Sequence, residues 1–581
     1  MTAEVPGRET GRVERAWVPR TAWAICLLIG LLDAGAAITP RLTSRLHMLA
    51  ELLPGSILNA TPAALLAVGI GFILLAGGLG RRKRRAWQLA CLLLAASVLL
   101  HVLVRHSFIL AISVGMLVLL LVYRDEFYAA GDPYTRWRAL RYLLGLGAAS
   151  LVIGTIIAYT FRGLAVARAG FIGTVGDVAL GMVGVETGLD SGPGVRADVL
   201  YYSLLTLGLI TFGTALFLLL RSPRPLPLLT AADQAQMRGL LDREGERDSL
   251  GYFALRRDKS VVWSHTGKAC VAYRVTSGVM LASGDPLGSP DAWAGAIDVF
   301  ISEARRHAWV PAVVACSELG AEVWCREAGL DALEIGDEAV VEVEDFSLEG
   351  RSMRNVRQMV NRVRRTGYVC ELRRQRDVPA EELEQLRVAA SAWRVGDIER
   401  GYSMALGRFG DPADSACMIV TAKQNGELKA LLAFAPWGPD GLSLDLMRRS
   451  RDSDPGVNEL LIVETLAAAP SLGIARVSLN FAVFRAALAR GERIGAGPAI
   501  RAWRRLLLFA SRWAQIESLY RFNAKFQPAW EPRFVLYPDV SALPRVAVAY
   551  LEAEAFLTYP KLAFWRRKEE PERAPVPSPA P

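Results

Sequence analysis

LSLDLMRRSRDSDPGVNELLIVETL, residues 442–466, decides how the second half of this chain folds. Leu442, Leu444 and Leu446 alternate against Ser443, Asp445 and Met447, which is the period of a strand. Asp454-Pro455-Gly456 interrupts that period, and Leu460, Leu461, Val463 and Leu466 then recur as the apolar side of a helix. Asp445, Arg448 and Arg449 are therefore expected at a strand's end, facing a helix that carries Glu459. A rigid strand end beside an open loop is a common place for a functional site. The plainer reading is a surface cluster of ion pairs.

Outward from this stretch, strand and helix patterns alternate from about residue 229 to 568, as in a mixed α/β domain. Ala269–Val275 and Val279–Ala282 read as strands around Ser277-Gly278 and lead into Gly284-Asp285-Pro286-Leu287-Gly288. A helix at Trp293–His307 and a buried strand at Val310–Cys316 follow. Met418–Ala422, Leu428–Ala435 and Leu442–Met447 read as three antiparallel strands, turned at Asn425-Gly426 and Pro439-Asp440-Gly441. Helix Val457–Ala469, strand Ala475–Phe481 and strand Arg533–Tyr537 complete a second set. Two runs of similar order predict two related lobes, at 229–370 and 371–568, with a disordered, Pro-rich tail at 569–581.

The first half is of a different kind. Hydrophobic residues make up 52% of the 581-residue chain, and the excess lies before residue 221. Six segments are long and apolar enough to cross a bilayer: Ala22–Thr39, Ala60–Gly80, Ala86–Val104, Ser107–Tyr123, Ala139–Thr160 and Leu200–Leu220. They predict a six-helix transmembrane bundle over residues 1–221. Arg8, Arg12, Arg15 and Arg20 precede the first span with no cleavage pattern after it, which reads as an anchor. Arg81, Arg82, Lys83, Arg84 and Arg85 form a block, and Arg124, Arg136 and Arg138 follow the fourth span. The alternate loops hold fewer basic residues, with Arg162, Arg168 and Arg196 in the longest, so both termini are expected in the cytoplasm. Asp33 and His101 lie within predicted spans, where an ionisable group either lines a polar path or ties helices together. Pro223, Pro225 and Pro227 mark a stiff linker at 222–228.

The net charge of +9 favours an anionic partner, a nucleic acid or an acidic membrane face. The seven cysteines include no CxxC pair, and only His265 and His307 lie outside the apolar half. Zinc ribbons, disulfide frameworks and Ser-His triads are thereby disfavoured, and no metal is expected. The most basic element is RSMRNVRQMVNRVRR, residues 351–365, where Met353, Val356, Val360 and Val363 form an apolar stripe. Nine arginines fall between 351 and 376 against one acid, Glu371. Such density suits phosphate, because the planar guanidinium takes two oxygens at once. RNA backbone and membrane surface are both candidate ligands. A second cluster joins Arg501, Arg504, Arg505 and Arg512 to Tyr520-Arg521-Phe522-Asn523-Ala524-Lys525-Phe526 and Trp530. Arginines among rings can hold an RNA end, although Phe526 and Trp530 read better as core.

These residues carry a resemblance. GDPLG (284–288), RSMRNVRQMVNRVRRTGY (351–368), LDLMRR (444–449), NELLIVETL (458–466), VSLNFAVF (477–484) and YRFNAKFQPAWEPRFVLY (520–537) occur in that order over some 250 residues. In them the chain resembles the synthase domain of the phosphatidylglycerol lysyltransferases, the multiple peptide resistance factor family, in its actinobacterial form. The resemblance implies two tandem acetyltransferase-like (GNAT-type) lobes, aminoacyl-tRNA as donor and phosphatidylglycerol as membrane acceptor. It further implies a plasma-membrane enzyme that lowers surface negative charge and protects against cationic peptides. Six spans are fewer than in relatives whose extra helices flip the lipid product. The fused lysyl-tRNA synthetase of some relatives does not follow here, which leaves lysine, alanine and arginine open as the amino acid.

Ester exchange from aminoacyl-tRNA to a lipid hydroxyl needs proximity, proton removal and stabilisation of an oxyanion. The resemblance supports Asp445 and Arg448 as catalytic, Asp445 serving either as base or as ammonium ligand. Arg449, Glu459, Asn480 and Asp285 are assigned to substrate, and Arg351, Arg354, Asn355, Arg364, Arg365, Arg504, Arg521, Lys525 and Arg533 to tRNA or phosphate. The turn RDSDPGVNE lacks the glycine spacing of a CoA pyrophosphate cradle, so no cofactor is expected. A homo-oligomer is compatible with the sequence. The competing readings are a transferase acting on another lipid or lipid-linked precursor, and a lipid transporter with a regulatory cytoplasmic domain.

Overall fold

The protein is described by a computed structural model over residues 17–38, 62–104, 107–129, 133–183, 195–220, 229–394, 400–483 and 516–557. The main division of the chain falls between Pro223 and Arg224. In the first unit the described helices are α1 (Trp17–Ile38), α2 (Pro62–Leu79), α3 (Arg84–Val104), α4 (Ser107–Val122), α5 (Pro133–Met182) and α6 (Val195–Leu220). Among the described residues, Leu140–Phe161 and Val199–Leu219 are each long and apolar enough to cross a membrane, and Ile70–Leu79 and Gly170–Met182 are shorter apolar helices. Ser150 and Thr211 hydroxyls lie 3.0 Å apart and join α5 to α6.

One expectation about this unit changes. Arg162 and Arg168 lie within α5 and not in a loop. The chain reverses between Gly154 and Val178, and Gly170 within that stretch has a φ of 70°, in the left-handed region that favours glycine. The reversal is required by contact: a Cβ on Gly154 would meet Val178 Cγ1 at 2.7 Å. Those positions would stand about 36 Å apart on a straight helix. The side chains of Asp33 and His101, the linker at 222–228 and the tail at 569–581 lie outside the described residues.

The second unit is built on one twelve-stranded sheet. Its strands are β1 (Ser260–Trp263), β2 (Ala269–Thr276), β3 (Val279–Ser283), β4 (Leu287–Gly288), β5 (Val310–Cys316), β6 (Asp331–Glu342), β7 (Tyr368–Arg374), β8 (Met418–Gln424), β9 (Glu427–Trp437), β10 (Gly441–Arg449), β11 (Arg476–Val483) and β12 (Ala529–Tyr537). The helices are α7 (Ala231–Glu244), α8 (Trp293–Arg306), α9 (Glu318–Ala328), α10 (Arg354–Arg365), α11 (Ala380–Ala392), α12 (Val457–Ala468), α13 (Ile516–Asn523) and α14 (Leu543–Ala553). The central strands read as continuous apolar runs because both faces of the sheet are covered. Asn425-Gly426, with φ of 53° and 82°, closes the β8–β9 hairpin in two residues, as its sequence predicts.

The strand order is β1-β2-β3-β5-β12-β6-β11-β10-β9-β8-β7, with β4 beside β2. From either end the same motif recurs. Antiparallel β1, β2 and β3 lead to a parallel β3–β5 pair, and antiparallel β8, β9 and β10 lead to a parallel β10–β11 pair. The closing strands are exchanged. β6, which follows the first set in sequence, pairs with β11 of the second, and β12 from the C-terminus pairs with β5 of the first.

The expected boundary between residues 370 and 371 is therefore corrected. Val356, Val360 and Val363 of α10 pack with Val457, Leu460 and Leu461 of α12 in the second core. Val535 of β12 and Val546, Ala549 and Tyr550 of α14 pack in the first core, with Leu281 and Val314. The division follows apolar contact and not chain order.

Candidate active site

β10 and β11 run side by side only at Gly441–Ser443 and Arg476–Ser478. Beyond that they part. Two irregularities mark the place: a register shift in β10 between Leu444 and Leu446, and one in β11 between Ser478 and Phe481. Asp445 is the residue displaced by the first shift, and Asn480, at φ 72°, lies within the second. A bulge of this kind re-aims a side chain out of the ladder. Past Ser443 the β10 edge has no ladder pairing to β11, and this parting is termed the cleft.

Asn480 spans the cleft. Its amide nitrogen donates to Leu444 O and to Met404 O, each at 3.1 Å. Asp445 Oδ1 accepts the Leu406 N–H at 2.7 Å. Both side chains thus hold residues 404–406, part of a strap that the first core pins from its other side. Tyr402 Oη donates to Leu281 O, and the Glu554 carboxylate accepts from Tyr402 N at 2.7 Å and Ser403 Oγ at 2.6 Å. Arg256 Nη1 donates to Gly401 O at 2.6 Å and Ala405 O at 3.0 Å. The strap carries no periodic pattern, so neither it nor Glu554 is visible as a site element in the sequence.

The cleft continues towards α13. Asn523 donates from Nδ2 to Leu479 O at 3.2 Å, is 1% exposed, and leaves Oδ1 without a partner among the described residues. Lys525 Nζ donates to Glu459 Oε1 at 2.6 Å, where the carboxylate is nearly buried at the start of α12. Asp445, Asn480, Asn523, Lys525 and Glu459 are linked in this way through successive backbone or side-chain contacts. Asn523 is the member of this set that sequence reasoning missed. Its one signal is an amide between basic and aromatic neighbours in YRFNAKF. Arg448 lies further along β10, donating to Met447 O at 3.1 Å, and exposed Arg449 donates to Ser453 Oγ at 3.2 Å.

Two residues expected to touch substrate or phosphate are corrected. Arg533 is 2% exposed and donates to Glu338, to Asp248 Oδ1 at 2.8 Å and to Ser249 Oγ at 2.8 Å. Ser249 and Ser478 hydroxyls both donate to Glu338 Oε1. Every nitrogen of that guanidinium is used inside the protein, so it has none for phosphate. Asp285 is also buried, accepting from Ser317 N at 2.9 Å, Ser317 Oγ at 2.5 Å and Cys316 Sγ at 3.2 Å. Burial, helped by Asp248 and opposed by Arg533, pushes its carboxyl up to about 6.

The arginine-rich helix is placed as its stripe predicts. Met353, Val356, Val360 and Val363 are buried, and Arg351, Arg354, Asn355 and Arg365 are exposed. Arg364 is spent on Glu464, at 2.8 Å, whereas Arg351, Arg354 and Arg365 have no ion pair among the described residues. The helix also covers the first turn of α12. A Cβ on Gly456 would meet Met359 Cγ at 2.5 Å, and Arg362 donates to Pro455 O at 2.9 Å. Arg521 is exposed, and Arg504 lies outside the described residues.

A doubled antiparallel-then-parallel strand set, in which one parallel pair parts, is the arrangement expected of two tandem acetyltransferase-like lobes. The sequence pattern described as "Phosphatidylglycerol lysyltransferase, C-terminal" matches residues 238–537, more than half of the chain, and the chain belongs to that family. A second pattern, "Transmembrane region of lysyl-tRNA synthetase", matches residues 14–165. The chain is 40% identical over 590 residues to the "Lysylphosphatidylglycerol biosynthesis bifunctional protein LysX" of Mycolicibacterium gilvum, covering 98% of this chain and 52% of that protein. It is 41% identical over 568 residues to the protein of the same name from Rhodococcus jostii, covering 96% of this chain and 50% of that one. The chain thus spans about half the length of the curated relatives it matches. Among solved structures, "The structure of L-PGS from Bacillus licheniformis" is similar at TM-score 0.49 and 19% identity, over 56% of this chain and 97% of that one.

Proposed function

We propose that this protein transfers a lysyl group from aminoacyl-tRNA to the glycerol hydroxyl of phosphatidylglycerol. The first unit, with six spans and both termini in the cytoplasm, holds the second unit at the inner face of the plasma membrane. The observation that carries the proposal is the parted β10–β11 pair with Asp445 on its bulge, in a chain of the phosphatidylglycerol lysyltransferase family. The relatives' names, with "lysylphosphatidylglycerol" in each, support lysine as the group moved.

In this reading the lipid hydroxyl oxygen attacks the ester carbonyl carbon of the charged tRNA. Its proton passes to Asp445 and then to the departing ribose oxygen, so one ester bond forms as one breaks. The β10 wall and Arg448 stabilise the oxyanion that develops between the two steps. Arg351, Arg354 and Arg365 hold RNA phosphates, and Glu459, Asn480 and Asn523 face the aminoacyl group. Coverage of the α12 first turn by Met359 and Arg362 supports a donor other than CoA, because a pyrophosphate cradle needs those backbone amides open. The product carries positive charge where the substrate carried negative, which lowers attraction of cationic peptides to the surface.

The test is to reconstitute the full chain in phosphatidylglycerol vesicles, supply each radiolabelled aminoacyl-tRNA in turn, and separate the lipids. The expected result is a labelled lipid with lysyl-tRNA that disappears when the RNA is digested beforehand. No labelled lipid from any charged tRNA refutes the proposal.

A further inference from the structure

Helix α14 has two unlike faces. Val546, Ala549, Tyr550 and Ala553 are buried in the first core. Its charged groups are also turned inward. Arg545 donates to Ser277 O and Gly278 O, each at 3.0 Å, Glu552 accepts from Ser277 Oγ, and Glu554 holds the strap that bears on Asp445. The outer surface is left to exposed Pro544, Ala547, Val548 and Leu551, spaced as one helical stripe. Val540, 71% exposed, precedes the stripe, and exposed Phe556 and Leu557 follow it.

The cations near this surface have interfacial chemistry. The Arg400 guanidinium lies 5.2 Å from the centre of the Phe556 ring. In the sequence, Tyr559, Lys561, Phe564, Trp565, Arg566, Arg567 and Lys568 come next, aromatic and basic together with no acid until Glu569. An apolar stripe with Phe556 and Arg400 beside it, followed in sequence by that aromatic and basic run, suits the boundary between acyl chains and anionic headgroups. We propose that the outer face of α14 docks on the anionic surface of the bilayer. This takes from the proposed function only that the second unit lies beside such a bilayer. The strap is tied to the same helix through Glu554, which caps its C-terminus.

The test uses the full chain with the partly exposed Cys91, Cys325 and Cys370 replaced by Ser, and Val548→Cys carrying an environment-sensitive fluorophore. A parallel preparation carries the fluorophore at Val388→Cys on α11, where Val388 is 56% exposed. Both are reconstituted in vesicles of phosphatidylcholine and phosphatidylglycerol. Spin-labelled lipid should quench the label at position 548 severalfold more than that at 388, and aqueous iodide should do the reverse. Equal iodide quenching at both positions overturns the docking, as does failure of spin-labelled lipid to quench position 548 more than position 388. The variant Val548→Glu, Leu551→Glu is expected to transfer about tenfold more slowly to phosphatidylglycerol in vesicles, and at an unchanged rate to a short-chain, water-soluble phosphatidylglycerol. An equal loss on both acceptors also overturns the proposal. Absence of transfer by the unmodified chain refutes the reaction and leaves the quenching result to stand on its own.

Discussion

Asp445 is itself the one residue displaced from the ordinary ladder of β10, and its reach into the cleft depends on that displacement. Asp445→Asn keeps a carbonyl oxygen for the Leu406 N–H and removes the basic oxygen. Transfer to lipid should fall by about 10²–10⁴-fold with melting temperature unchanged, measured on the same reconstituted preparation. Loss of activity accompanied by an equal loss of stability would mark Asp445 as a strap anchor only. Asp285 makes a pH prediction. Its folded pKa, about 6, lies above the ordinary carboxylate value of 3.8, so between those values the folded chain binds more protons than the unfolded one. Stability from this group therefore falls as pH rises from about 4 to 6. In Asp285→Asn that share of the decline should vanish, which paired denaturation curves at pH 4 and pH 7 will read.

Asp445 stands out in the sequence as an acid on an alternating strand close to two arginines, but the strand runs on to Arg449, so Asp445 lies at its middle and not at its end as expected. Arg533 and Asp285 mislead for a physical reason. A charged residue in a motif looks the same in sequence whether it meets a ligand or a partner carboxylate, and the partners, Glu338, Asp248 and Ser317, are remote along the chain.

At the scale of elements, α10 is almost completely legible. Its valine stripe recurs at helical spacing, and the same spacing fixes which arginines are outside. Replacing Arg351, Arg354 and Arg365 together by Gln should raise KM for aminoacyl-tRNA with little change in kcat. The slope of log affinity against log salt should become shallower by about one unit for each RNA phosphate left unneutralised. An unchanged salt slope, with weaker binding to anionic vesicles, would assign the helix to the membrane instead. The strap at 401–408 is invisible in the sequence because it is held by side chains from both cores and has no periodicity of its own. Gly170 is also deceptive. An arginine-bearing segment around a glycine looks like a loop, and only the contact of Val178 with Gly154 reveals a reversal between two helical arms.

For the whole molecule, the buried network around Arg533 sits where the two strand sets meet. It joins β12 to Glu338 of β6, to Ser478 of β11 through that carboxylate, and to Asp248 of the first core. Arg533→Ala leaves Glu338 and Asp248 as buried, uncompensated charges, and should cost about 3–5 kcal/mol of stability. Chemical denaturation monitored by tryptophan fluorescence measures this. A variant of full stability whose only defect is weaker RNA affinity would restore Arg533 to the phosphate-binding set. The two strand sets are legible as a repeat in the sequence. Exchange of their closing strands is not, because pairing of β12 with β5 leaves no local mark.

The seat of β12 between β5 and β6 also has a consequence for synthesis. The ribosome delivers both flanking strands long before the one that must lie between them. At ordinary translation speeds the intervening stretch takes roughly 10–40 s to emerge, and two apolar strand edges wait open for that time. A nascent chain halted before Ala529 would keep those edges indefinitely, making late stop codons costly through aggregation even where every cleft residue has already been made.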